Sequence, residues 1–162
     1  KHASGRTPAL RLRAEVSALT IEDELHGAFA GGVDDMVLRR ADGVHAYNLA
    51  VVIDDHDIGV DQVVRGDDLL ASTPRQAYLY DLLGYPRPSY VHVPLVLNAQ
   101  GQRLAKRDGP VTMRDLGLPA HLVLAMLGAS LGLCADDEQV DVEVLLDRFD
   151  PNAIPQEPWV FG

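Results

Sequence analysis

The chain's 162 residues are 47% hydrophobic, enough for one domain with a core or two small lobes, and no apolar run approaches the ~18 residues of a membrane-spanning helix. A net charge of −10 argues against a surface that binds nucleic acid all over, because such affinity comes from Lys and Arg against phosphates. A lone cysteine, Cys134, makes no internal disulfide and no zinc site by itself, so a reducing cytoplasm is the expected compartment. The chain opens at Lys1 in the polar stretch "KHASGRT", without a basic-then-apolar leader, and reads as part of a longer chain.

"ALRLRAEV" alternates apolar and polar residues and predicts a half-buried strand. "LTIEDELHGAF" predicts a second short strand and its turn, with Gly31 and Gly32 as punctuation. "DDMVLRR" reads as a third strand and Ala41 to Gly43 as a turn. "VHAYNLAVVIDDH" is ambiguous, since Asn48 and the alanines permit helix and the valines permit strand. "GVDQVVRGDDLL" predicts a strand that ends in a polar loop. "STPRQAYLYDLLG" is the clearest helix: Ser72 or Thr73 caps it, Pro74 lies in its first turn and Gly84 ends it. "SYVHVPLVLN" predicts a buried strand that runs into "AQGQRLAKRDG". "PAHLVLAMLGASLGL" and "DVEVLLDRF" predict helices joined by an acidic linker, and "DPNAIPQEPWVFG" an extended tail. The stretch from Val60 to Asn98 fits a parallel βαβ crossover, and sites in such sheets gather at the carboxyl ends of the strands.

Two loops leave strands at such ends. In "GQRLAKRDG", Arg103, Lys106 and Arg107 put three cations within five residues of a glycine-flanked turn. Of the fourteen Lys and Arg, only Lys1 and Lys106 are lysines. An ammonium is a compact charge suited to the phosphates of ATP, where charge develops in the transition state; local composition alone favours a solvated basic hairpin tip. In "VVRGDD", Arg65 can fork onto a carboxylate or pair with Asp67 or Asp68. Tyr47 reads locally as a core aromatic whose hydroxyl finds a partner. Asp54, Asp55, His56 and Asp57 are consecutive, so as strand neighbours they face opposite ways; capping or a solvated turn explains them better than a metal site. The acidic residues cluster elsewhere, which leaves room for basic patches at Arg39–Arg40 and Arg103 to Arg107.

Taken in order, "AYNLAVVIDDHDIGVDQVVRGDDLLASTPRQAYLYDLLG" and "PSYVHVPLVLNAQGQRLAKR" resemble the glutamyl branch of the class I aminoacyl-tRNA synthetases, over roughly Asp34 to Arg107. In that resemblance "RLAKR" stands at the KMSKS-type loop. Lys106 matches the second lysine, which the family uses on ATP; Arg103 replaces the first lysine and Ala105 the serine. Tyr47 and Arg65 match positions that line the amino-acid pocket and hold glutamate. The HIGH-type motif of the family has no counterpart in this sequence, nor has the cysteine-based zinc site of several members.

The resemblance therefore implies an α/β fold: the second half of a Rossmann-like catalytic domain, a parallel sheet with helices, preceded by short strands and followed by a small helical region. It divides the chain into a strand-rich connecting segment at 1–44, the half-domain with its KMSKS-type loop at 45–115, and a short helical region at 116–162. It implies ATP with Mg2+, L-glutamate and a tRNA as ligands, a monomer, no membrane, and adenylate formation followed by transfer to a hydroxyl. No side chain stands out as a general base. Only Asp108 to Gly162 follow the loop, without a long anticodon-binding region, and Val51 replaces the asparagine usual four residues after the pocket tyrosine. Both features resemble the trimmed branch that attaches glutamate to queuosine of tRNA-Asp. An ordinary glutamyl-tRNA synthetase fragment and a non-catalytic tRNA- or partner-binding half-domain are the alternatives.

Overall fold

The computed structural model describes residues 8–104 and 117–161. The chain separates into two compact units, 1–92 and 93–162. The expected segment 1–44 thus shares a unit with the helices that follow it, and the expected boundary at 115 lies outside the described residues.

In the first unit, β2 (Ala18–Asp23) and β3 (Gly27–Gly32) form an antiparallel hairpin in continuous register, from Ala18 opposite Gly32 to Asp23 opposite Gly27. Gly27 at φ 67° takes the left-handed turn position. Gly31 and Gly32 lie inside β3 rather than beyond its end. Gly31 is there for space: a Cβ would stand 2.7 Å from Pro74 Cγ and 3.0 Å from the Phe29 ring. β6 (Ser89–Val93) joins β2 in parallel, Asp23 opposite Tyr90. β5 (Gln62–Gly66) lies on the far side of β6, giving the order β3-β2-β6-β5. The sheet is therefore mixed, not the parallel sheet expected, because a tight hairpin can reverse only into an antiparallel neighbour. β1 (Leu10–Arg11) and β4 (Val37–Arg39) form a separate antiparallel pair. β1 is shorter than the alternating run predicts, and its register shifts between Leu10 and Arg11.

The ambiguous run folds as helix α1 (Tyr47–Ile58), which Gly59 ends at φ 77°. Spacing decides it: Val52 is fully buried, and Gly59 supplies the left-handed stop that a strand would not need. A 3-10 stretch, Asp67–Ser72, runs directly into α2 (Thr73–Leu83), which Gly84 ends at φ 70°. Contrary to expectation, neither Ser72 nor Thr73 caps α2 through its side chain. Helical backbone already precedes the helix, and the Ser72 hydroxyl donates back to the Leu69 carbonyl at 2.7 Å. α2 packs on β2 and β3, and α1 packs on α2. The core is Val33, Met36, Val52, Tyr78, Leu79 and Tyr80.

In the second unit, β7 (Val96–Leu97) pairs in parallel with β8 (Trp159–Val160). Helices α3 (Ala120–Ser130) and α4 (Val142–Arg148) follow the predicted segments. Asp141 caps α4 by accepting from the Val144 N–H at 2.9 Å. Gly128 of α3 leaves room for Leu145 and Cys134, whose nearest atoms stand 2.7 and 2.6 Å from where its Cβ would be. Among the described residues no helix is long and apolar enough to cross a membrane.

Candidate functional site

Arg65 leaves the end of β5 half-buried, and two hydrogen bonds hold its guanidinium. Its Nε–H donates to His92 Nε2 at 3.1 Å, and Nη2 donates to the Thr73 hydroxyl at 2.8 Å. His92 and Thr73 are both 0% exposed. A buried imidazole can accept from an arginine only if that nitrogen carries no proton. The other ring nitrogen fits that state: His92 Nδ1 lies 2.6 Å from Asp23 Oδ2, and a carboxylate can only accept. Asp23 is 3% exposed, and three further donors meet it: the backbone N–H groups of Leu25 and His26 at Oδ1, at 3.1 and 3.0 Å, and of His92 at Oδ2, at 3.1 Å. Burial pushes the Asp23 carboxyl up, but the His92 contact and the backbone N–H bonds outweigh it and hold it below the ordinary aspartate value.

The first turn of α2 is a common platform. Thr73 anchors Arg65 there, and three residues later the buried Gln76 donates to Asn48 Oδ1 at 3.0 Å. Asn48 is the neighbour of Tyr47, the first residue of α1. Tyr47 is 65% exposed, so it is no core aromatic. The two expected pocket residues thus come from elements pinned to the same first turn of one helix. Residue types alone did not single out Asp23, Thr73, Gln76 or His92. The signal for His92 was a lone polar residue in "YVHVP", a strand otherwise bound for the core; that for Asp23 was its place in "LTIED", on the same alternating face as the buried Ile21.

Arg103 lies on the return arm of a turn in the second unit, bridged to Leu97. The Asn98 side chain organises that turn, accepting from the Gln100 and Gln102 N–H groups at 3.0 and 2.9 Å, with Gly101 at φ 72°. Lys106 and Arg107, expected to act on ATP, lie outside the described residues. The acidic run Asp54 to Asp57 falls in the last turns of α1, where His56 stacks on Tyr85 with ring centroids 3.6 Å apart. Among the described residues no group of three or more His, Cys, Asp or Glu is placed to hold a metal ion. Two surface cavities of the first unit, of about 450 and 290 Å³, are lined in part by Glu22 and Arg87 and by His56 and Arg87; Tyr47 and Arg65 line neither.

Comparison with known proteins places these features in context. The family of tRNA synthetases class I (E and Q), catalytic domain, matches residues 1–161. A glutamyl-Q tRNA(Asp) synthetase of Nocardia farcinica is 60% identical over 99% of this chain, which spans 51% of that protein. A glutamate–tRNA ligase of Helicobacter hepaticus is 35% identical over 98% of the chain, which covers 36% of it. The crystal structure of the glutamate-tRNA synthetase from Elizabethkingia anophelis superposes with a TM-score of 0.76 at 27% identity, across 95% of this chain and 36% of that one. The chain thus spans about half the length of the nearest of these relatives, or less.

Proposed function

We propose, from the premise that this chain belongs to the class I tRNA synthetases (E and Q), catalytic-domain family, that it is part of an enzyme that activates glutamate with ATP and transfers it to queuosine of tRNA-Asp. The observation that carries the glutamate part is Arg65. Its guanidinium is fixed from behind by buried partners, as a residue that must orient a carboxylate needs to be. Tyr47, exposed at the start of α1, is assigned to the same amino acid. The glutamate α-carboxylate attacks the α-phosphorus of ATP, giving glutamyl-adenylate and pyrophosphate. A hydroxyl of the acceptor then attacks the acyl carbonyl and releases AMP. Lys106, with Arg103 and Arg107, is assigned to the ATP phosphates, and Mg2+ accompanies the nucleotide. We assign the chain to the second half of the catalytic domain, with the division 1–44, 45–115 and 116–162, because a KMSKS-type stretch is present and a HIGH-type one is not.

The choice of acceptor rests on the relatives. The 60% identical protein bears the glutamyl-Q tRNA(Asp) name, and relatives named for ordinary glutamate–tRNA chemistry stand between 35% and 42%. Labelled-glutamate transfer by the complete protein tests the reading, with queuosine-bearing tRNA-Asp, queuosine-free tRNA-Asp and tRNA-Glu side by side. Transfer is expected to the first alone. Transfer to tRNA-Glu would move the assignment to an ordinary glutamyl-tRNA synthetase, and no transfer at all to a non-catalytic tRNA-binding body.

A further inference from the structure

We propose that Asp23, His92 and Thr73 form a positioning relay, which sets the tautomer of His92 and so presents Arg65 to its ligand by one defined edge. The proposal rests on the reading of Arg65 as the anchor of the glutamate carboxylate.

A guanidinium has two edges that can fork onto a carboxylate: a side-on edge formed by Nε and Nη2, and an end-on edge formed by Nη1 and Nη2. In this chain the side-on edge is engaged, Nε by His92 at 3.1 Å and Nη2 by Thr73 at 2.8 Å. The end-on edge is the one left for a ligand among the described residues. The engagement depends on a proton two bonds away. Neutral imidazole carries one N–H, and its position is set by what the other nitrogen meets. Asp23 Oδ2, 2.6 Å from Nδ1, draws the proton there and leaves Nε2 as the acceptor that Arg65 needs. With the proton on Nε2, two N–H groups would face each other across 3.1 Å and the arginine would have to turn. Asp23 is itself fixed by the backbone of Leu25, His26 and His92. The Thr73 hydroxyl closes the arrangement: it lies 3.0 Å from His92 Nε2 and 3.3 Å from the Leu69 carbonyl, and accepts from Arg65 with its lone pair. The Asp23 contact alone would leave Nε2 of the 0% exposed His92 without a partner, and Arg65 and Thr73 are the groups that meet it.

The test uses the complete protein and two readouts. The first is the spectrum of ¹⁵N-histidine-labelled protein near neutral pH, with the His92 signals identified by their loss in His92→Gln. The tautomer protonated at Nδ1 is expected; protonation at Nε2 would overturn the relay. The second is glutamate-dependent ATP–pyrophosphate exchange. His92→Leu should raise the glutamate KM roughly tenfold or more while kcat and the ATP KM stay within about threefold. His92→Gln, whose amide oxygen can stand near Nε2 and accept from Arg65, should recover most of that loss. Thr73→Val and Asp23→Asn should raise the glutamate KM with the same selectivity. Arg65→Lys separates the two levels of the argument. If it raises the glutamate KM sharply and the relay variants do not, the relay falls and the glutamate reading stands. If Arg65→Lys itself changes nothing, the glutamate reading falls and the relay with it. Should His92→Leu fail to fold, the tautomer and the Asp23→Asn and Thr73→Val kinetics decide.

Discussion

Asp23 is a carboxylate with almost no contact with water, so its charge is a condition of the fold as well as of the site. Its folded-state pKa lies below the ordinary value, held there by His92 and backbone N–H groups against the opposing effect of burial. A carboxyl depressed on folding adds stability that is fully present above its unfolded pKa and lost as pH falls through the lower folded one. The urea midpoint of the protein is therefore expected to drop on acidification below about pH 4, and that of Asp23→Asn to drop less. Parallel slopes for the two proteins would show that Asp23 is not the group responsible. Lys106 poses a different question at the same scale, because its assignment rests on the order of residues around it. In the complete enzyme Lys106→Ala should slow adenylate formation by ~10²-fold, the scale for removing one preorganised charge from a transition state, with glutamate binding unchanged. A loss below about threefold would make Lys106 part of a solvated basic turn.

Among elements, α2 shows how one helix can serve both core and site. Ala77, Tyr78, Leu79 and Tyr80 are buried, while the turn before them carries Thr73 and Gln76 to Arg65 and Asn48. Its position depends on Gly31 of β3, which leaves Pro74 the space it fills. Gly31→Ala is expected to destabilise the protein by about 1–3 kcal/mol through overpacking. Gly32→Ala, where an added Cβ would meet nothing within 4 Å, should be close to neutral. Equal thermal shifts for the two variants would refute the packing argument. α2 was legible in the sequence because Gly84 marks its end through positive φ; α1, which Gly59 ends in the same way, was not, because its alanines permit helix and its valines strand. Arg65 was legible as a polar residue at a strand end beside a glycine. Its partners were not. Asp23 and His92 are 69 positions apart and meet only because β6 docks beside β2, a pairing that no local pattern encodes. The mixed character of the sheet was hidden for the same reason.

For the whole molecule, the proposed function divides the chemistry between this chain and a part it does not contain, since the chain covers 51% of its glutamyl-Q tRNA(Asp) synthetase relative. The 162-residue chain by itself is expected to show no glutamate-dependent ATP–pyrophosphate exchange, for want of the HIGH-type half of the nucleotide pocket. Robust exchange by the purified chain would refute that division. The β7–β8 pairing carries a consequence for the order of assembly. The β2–β3 hairpin needs only a three-residue turn and can close within microseconds. Val96 must instead find Trp159, some sixty positions further along, across a loop whose closure costs roughly 4 kcal/mol in chain entropy and is repaid by a few ladder bonds. Such a contact has little to hold it until α3 and α4 have formed between its ends. The first unit can thus nucleate on local contacts, while the second gains its short parallel ladder late, when its tail returns to Leu95 and Leu97.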